Sequence, residues 1–174
     1  MRIFHMQKLD LKFFERPTLL VAEELIGKYF IFNDKKLIIT ETEAYIGRDD
    51  EACHAARGKT KRTEVMFGRA GCLYIYFIYG MYYCMNVVTE EEGSAAAVLI
   101  RGALDISKPE QKLLNGPGKL CKNLSIDKTY NTLDIVENDR IYFLGSDLKY
   151  EIQSTPRIGI SKAKDKPWRF IANL

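Results

Sequence analysis

The 174-residue chain predicts an α+β fold: a single domain spanning residues 1–174, with a curved, mainly antiparallel β-sheet, short flanking helices and a protruding β-hairpin. Three observations lead to that class. Twenty consecutive residues between Arg69 and Glu90 carry no charge and are rich in aromatic and β-branched side chains. Short apolar runs bounded by turn residues recur along the chain, while stretches with helical spacing are few and brief. The length suits one substantial core better than two.

The uncharged run is long enough to cross a bilayer as a helix. Its five tyrosines, the central Gly80 and Asn86 favour a pleated sheet instead. It reads as two buried strands, roughly 72–78 and 82–88, reversing at Tyr79-Gly80. A large aromatic at a hairpin tip has little protein to pack against. Tyr79 is therefore either paired with another part of the fold or awaiting a partner with a π-face, such as stacked nucleic-acid bases.

The remaining elements follow in order. Residues 18–26 read as a helix, opened by Pro17-Thr18, with apolar Leu19, Ala22 and Ile26 and a stop at Gly27. Residues 28–32 and 36–42 read as strands joined at Asn33-Asp34. A basic, glycine-containing loop covers roughly 47–71. After the hairpin comes an apolar strand over 95–104, a brief helix over 109–114, the Asn115-Gly116-Pro117-Gly118 turn and a second helix near 119–124. Strands near 133–136, 140–144 and 147–153 precede a basic tail.

Composition is that of an ordinary globular protein, 47% hydrophobic and 28% charged. The N-terminal stretch Met1–Lys8 lacks the apolar run of a signal peptide. Cys53, Cys72, Cys84 and Cys121 show no C-x-x-C spacing, so neither a zinc cluster nor a cofactor is expected. They read as reduced thiols of a cytoplasmic protein. Net charge is only +3, but it is segregated: basic residues gather at 57–69 and 157–169, acidic ones at 49–51 and 90–92. Such a pattern suits a polyanion and equally suits two solvated loops.

In Leu37–Tyr45, alternation puts Ile39, Glu41 and Glu43 on one face if the strand continues. Buried carboxylates are costly without partners. Two of them at the end of an apolar strand either point to solvent, pair with arginines, or mark a site.

Several blocks, in order, resemble the alkyladenine (3-methyladenine) DNA glycosylase family: Glu41-Thr42-Glu43-Ala44-Tyr45, Asp50–His54, Met66–Gly71 and the aromatic hairpin Leu73–Asn86. Asn115–Cys121, Pro156–Gly159 and Pro167–Phe170 continue the match. The resemblance implies a monofunctional enzyme that flips a damaged purine out of duplex DNA and hydrolyses its N-glycosidic bond with water. It implies that Glu43 activates the water, helped by Arg101 and by the backbone carbonyl of Ile158. Tyr45, His54 and Tyr76 would sandwich the base, Asn86 would border the pocket and disfavour guanine, and Tyr79 would fill the gap in the duplex. The implied partner is double-stranded DNA containing damaged purines, with no membrane, acted on by a monomer located with the chromosome. Between Arg101 and Asn115 the chain is shorter than in many members, and it stops at Leu174 before the tail many of them add. Asn123 stands where a small residue is common.

Plainer readings stand beside these roles. His54 can be a structural hydrogen-bonder and Asn86 a satisfied buried amide. Tyr74, Tyr82 and Tyr83 read as packing, and Glu41 as a support. Gly116-Pro117-Gly118 can offer amides to a phosphate or simply turn before a helix. A zinc deaminase needs H-x-E and P-C-x-x-C motifs, and neither occurs. A carbohydrate glycosidase sets its carboxylates across a cleft, not side by side on one strand. A non-catalytic module that binds damaged nucleic acid remains the alternative; it would bind lesions without releasing a base.

Overall fold

The structure, a computed structural model, describes residues 6–174. Met1–His5, part of the stretch read as lacking a secretion signal, lie outside the described residues. Asp10 caps a short helix, α1 (Leu11–Phe14), by accepting the Phe13 amide at 3.1 Å. The sequence reading did not anticipate α1. Helix α2 (Thr18–Glu24) then buries Val21 and Ala22, and the chain turns through Gly27 at φ +82°, a left-handed conformation that suits glycine.

Nine strands follow: β1 (Tyr29–Phe32), β2 (Lys35–Ile46), β3 (Leu73–Ile78), β4 (Tyr82–Thr89), β5 (Ala96–Asp105), β6 (Lys112–Asn115), β7 (Ile141–Leu144), β8 (Ile152–Thr155) and β9 (Arg169–Ala172). Every pairing is antiparallel. The main order is β3-β4-β5-β2-β1-β7, with β6 on β5, β9 on β2 and β8 on β9. Helix α3 (Pro117–Leu124) packs on β4, β5 and β6. The result is a curled antiparallel sheet with short helices. Among the described residues no helix is long and apolar enough to cross a membrane.

Three expectations are corrected. Residues 109–114, expected as a helix, lead into β6, where Leu114 is buried and Leu113 is 47% exposed: the period is two, not 3.6. Residues 133–136 form only an isolated bridge, Cys72 to Asp134. The strand expected at 147–153 begins at Ile152, and its partner β9 lies within the supposed basic tail.

The most consequential difference lies in β2. Its register against β5 shifts between Ile39 and Thr42, a β-bulge centred on Thr40-Glu41. Each strand carries one extra residue there, so the side-chain alternation reverses on both β2 and β5 while the register is restored at Thr42 opposite Ile100. Leu37 and Ile39 join the main core, and beyond the bulge Ala44 does so, with the Thr42 hydroxyl donating to the Ala22 carbonyl of α2 at 2.7 Å. Glu41, Glu43 and Tyr45 therefore point away from that core, so Ile39 does not share their face. Gly102 permits the bulge: a Cβ there would meet Glu41 Cβ and Thr40 Oγ1 at 3.0 Å.

The sheet carries apolar groups on both faces. Leu73, Ile75, Val87, Val98 and Ile100 face the helices. Their neighbours Tyr74, Val88 and Ala97 form a second cluster with Cys53, Ala55 and Met66, beneath the loop at 47–71. Two short 3₁₀ turns, His54–Arg57 and Glu64–Phe67, hold that loop down.

Candidate active site

Strand β2 carries Glu43 from the bulge to a position with no solvent exposure. Three donors surround the carboxylate. The Tyr45 hydroxyl donates to Oε2 at 2.8 Å, the Ile158 N–H donates to Oε1 at 2.8 Å, and Arg101 Nη1 lies 3.5 Å from Oε2. Burial pushes the Glu43 pKa above its ordinary 4.5, outweighing the opposing pull of Arg101, the Ile158 amide and Tyr45. Glu41 faces the same arginine: Arg101 Nε and Arg169 Nε both donate to its Oε1, at 2.9 and 2.6 Å. The pairing with arginines weighed from sequence thus describes Glu41 well. It fixes the guanidinium that serves Glu43. Ile158 reaches the carboxylate through its N–H.

Arg101 and Ile158 also line a groove of about 410 Å³ between the hairpin and the start of α3, with Tyr79, Tyr82 and Gly118 among its walls. Next to Glu43, on the side of the second cluster, Tyr45, His54, Tyr74, Tyr76 and Asn86 line a much smaller pocket of about 20 Å³. That volume takes a single water. His54 packs edge-on against Tyr76 with ring centroids 4.6 Å apart, and its Nδ1 lies 2.9 Å from the Tyr74 hydroxyl. A purine held between two faces needs them about 7 Å apart, twice a van der Waals contact. The aromatic walls are together, but closed on each other. His54 is exposed overall, but desolvation of its ring against Tyr74 and Tyr76, reinforced by the nearby Arg62 cation, pulls its pKa down to about 4, so the imidazole is neutral at physiological pH. Asn86 is buried and donates through Nδ2 to the Tyr74 carbonyl at 3.0 Å.

Tyr79 stands apart, 80% exposed at the hairpin tip. It and Gly80 have φ of +52° and +66°, and the Met81 N–H donates to the Ile78 carbonyl at 3.2 Å. Positive φ at both central residues is the tight hairpin turn whose twist matches the strands.

Sequence reading misplaced one residue and missed its partner. Arg157, counted with a basic surface, is buried and forms a two-pronged ion pair with buried Asp50 at 2.5 and 2.7 Å. It also donates to the Ala44 carbonyl at 2.9 Å and lies over the rings of Tyr45 and Trp168. This cation braces Tyr45 and fixes the backbone just before Ile158. Arg69 is likewise committed, to Asp134 and Glu137, and Arg169 to Glu41. Arg57, Lys59, Lys61 and Arg62 remain exposed on the loop. Among the described residues no three His, Cys, Asp or Glu side chains are grouped so as to hold a metal ion.

Residues 12–173 match the family model for methylpurine-DNA glycosylase. Relatives named as proposed 3-methyladenine DNA glycosylases resemble the chain along nearly its whole length. One from Rickettsia felis is 56% identical over 163 residues, covering 94% of this chain and 92% of the relative. One from Ehrlichia chaffeensis is 54% identical over 165 residues, with 94% and 92% covered. A third, from Wolbachia pipientis, is 57% identical over 162 residues, with 93% and 88% covered. The family model and these relatives place the chain in the DNA glycosylase class. It belongs to the methylpurine-DNA glycosylase family.

Proposed function

We propose that this protein excises alkylated purines such as 3-methyladenine from duplex DNA by water attack on the N-glycosidic bond, initiating base-excision repair. The observation that carries the reading is Glu43: a fully buried carboxylate with a raised pKa, held by Arg101, Tyr45 and the Ile158 amide beside an aromatic pocket. In this mechanism Glu43 takes a proton from water as the water oxygen bonds to C1′. The C1′–N bond breaks with its electron pair going to the purine. A purine alkylated at N3 or N7 is cationic, so it leaves neutral and needs no acid. The ionised carboxylate also stabilises positive charge building on the sugar. Products are the free base and an abasic site, and no lysine adduct forms.

The test is a purified-protein assay on duplex DNA carrying one alkylated or deaminated adenine, run with chelator and scored for free base and abasic sites. Damage-dependent binding with no base released would instead support the non-catalytic module. Glu43 must be ionised to accept the proton. Excision should therefore rise with pH along a limb whose midpoint lies above 4.5, the direction burial imposes. A kcat/KM profile whose acid limb falls below 4.5 would contradict this.

Tyr79 supplies a second expectation. Extruding a nucleotide costs a few kcal/mol in stacking and pairing, and an aromatic filling the gap returns roughly 1–3 kcal/mol. Tyr79→Ser should weaken the flipped complex about 5- to 150-fold, at about 1.4 kcal/mol per tenfold. Melting should barely change, because the side chain is 80% exposed. A reporter base at the lesion, read by fluorescence, measures the flip; a normal signal in this variant would place the wedge elsewhere.

A further inference from the structure

The carboxylates beside the pocket are each paired with an arginine. Glu41 and Glu43 face Arg101 and Arg169, and Asp50 faces Arg157. Arg62, exposed on the loop at 47–71, has no carboxylate within ion-pairing distance among the described residues. Its guanidinium nevertheless lies 5.4 Å from the centroid of the Tyr76 ring. Tyr76 is a wall of the small pocket, in contact with His54 and Tyr74. The cation reaches both neighbours. It adds to desolvation in pulling the His54 pKa down, and it opposes the rise that burial imposes on Tyr74.

Resting on the reading of this pocket as the seat of the flipped purine, we propose that Arg62 is a specificity-determining residue whose charge at the pocket rim narrows the preference of the aromatic pocket for cationic bases over neutral ones. An aromatic pocket attracts a cationic purine through the ring quadrupole. Here the ring of Tyr76 already engages a cation. A second positive charge entering beside it meets the first across a short, partly shielded gap. Like charges roughly 7–8 Å apart at a protein surface change an equilibrium by on the order of tenfold. A neutral base such as hypoxanthine incurs no such penalty. Attraction between Arg62 and a DNA phosphate would act on both kinds of lesion alike, so it cancels from their ratio.

The experiment compares kcat/KM on otherwise identical duplexes carrying 7-methylguanine, which is cationic, or hypoxanthine, which is neutral. Arg62→Gln should raise the cationic-to-neutral ratio about tenfold, and Arg62→Lys should leave it within about twofold of wild type. Equal losses on both substrates would overturn the proposal and make Arg62 a phosphate anchor only. A second readout needs no turnover. In the unliganded protein His54 faces the Tyr74 hydroxyl, the Tyr76 ring and Arg62, and its imidazole titrates at about 4. Followed by NMR, that pKa should move toward the ordinary 6.5 in Arg62→Gln. An unmoved titration would show that the charge does not reach the pocket. Wild-type protein that releases neither base would sink the glycosylase reading, while the His54 titration still decides whether Arg62 charges the pocket.

Discussion

Glu43→Gln should lower excision by at least about 100-fold, the lower end for loss of a general base, while damaged-DNA binding stays close to wild type. The amide matches the carboxylate in shape but cannot take the proton from water. It also meets donors on every side: the Tyr45 hydroxyl, the Ile158 N–H and Arg101. One of these loses its acceptor, costing about 1–3 kcal/mol of stability. Single-turnover assays with saturating protein separate chemistry from binding, and near-normal turnover would remove Glu43 from the mechanism. Glu41→Gln is the informative companion. It weakens the anchoring of Arg101 and Arg169 but leaves the proposed base in place, so its effect should be the smaller.

Asp50→Ala should destabilise the fold by about 3–5 kcal/mol, because it strands the Arg157 guanidinium, buried and unpaired. For a chain of this length that is a drop of roughly 6–20 °C in Tm. Activity should fall further than unfolding accounts for. Arg157 lies over Tyr45 and directly precedes Ile158, and both of those residues hydrogen-bond Glu43. The double variant Asp50→Ala/Arg157→Met, which leaves no charge to bury, should recover much of the stability but not the activity. Denaturant melts within about 0.5 kcal/mol of wild type for Asp50→Ala, the range of ordinary surface substitutions, would contradict the role assigned to the pair.

The hairpin was legible in the sequence because its signals are local: an uncharged aromatic run and a glycine at the reversal. β6 was not, since Leu113 and Leu114 fit a helical turn or an edge strand and only pairing with β5 decides between them. β9 has four residues and gains its identity from β2 and β8. The bulge at Thr40-Glu41 was hidden for the same reason: the glycine that leaves room for it, Gly102, sits on another strand. Tyr79 stood out by its place at the hairpin tip and Glu43 by strand alternation, and the other six site residues came from the resemblance. The structure gathers Glu43, Arg101, Tyr45 and Ile158 about one carboxylate, and His54, Tyr76 and Asn86 in the pocket beside it, with Tyr79 at the tip. What sequence could not give was which charges are spent inside. Arg157 looks like its basic neighbours, and its partner Asp50 is 107 positions away.

The left-handed backbone at Tyr79 bears on how this chain would respond to engineering. A bulky residue at φ +52° is an outlier, costing about 1 kcal/mol or more where glycine or asparagine would sit at ease. The ring is 80% exposed and contributes little packing in exchange. Random mutagenesis screened for heat tolerance alone should therefore accumulate Tyr79→Gly and Tyr79→Asn early. Libraries selected that way would drift toward sturdier proteins with a blunted tip, a trade between robustness and activity located at one residue.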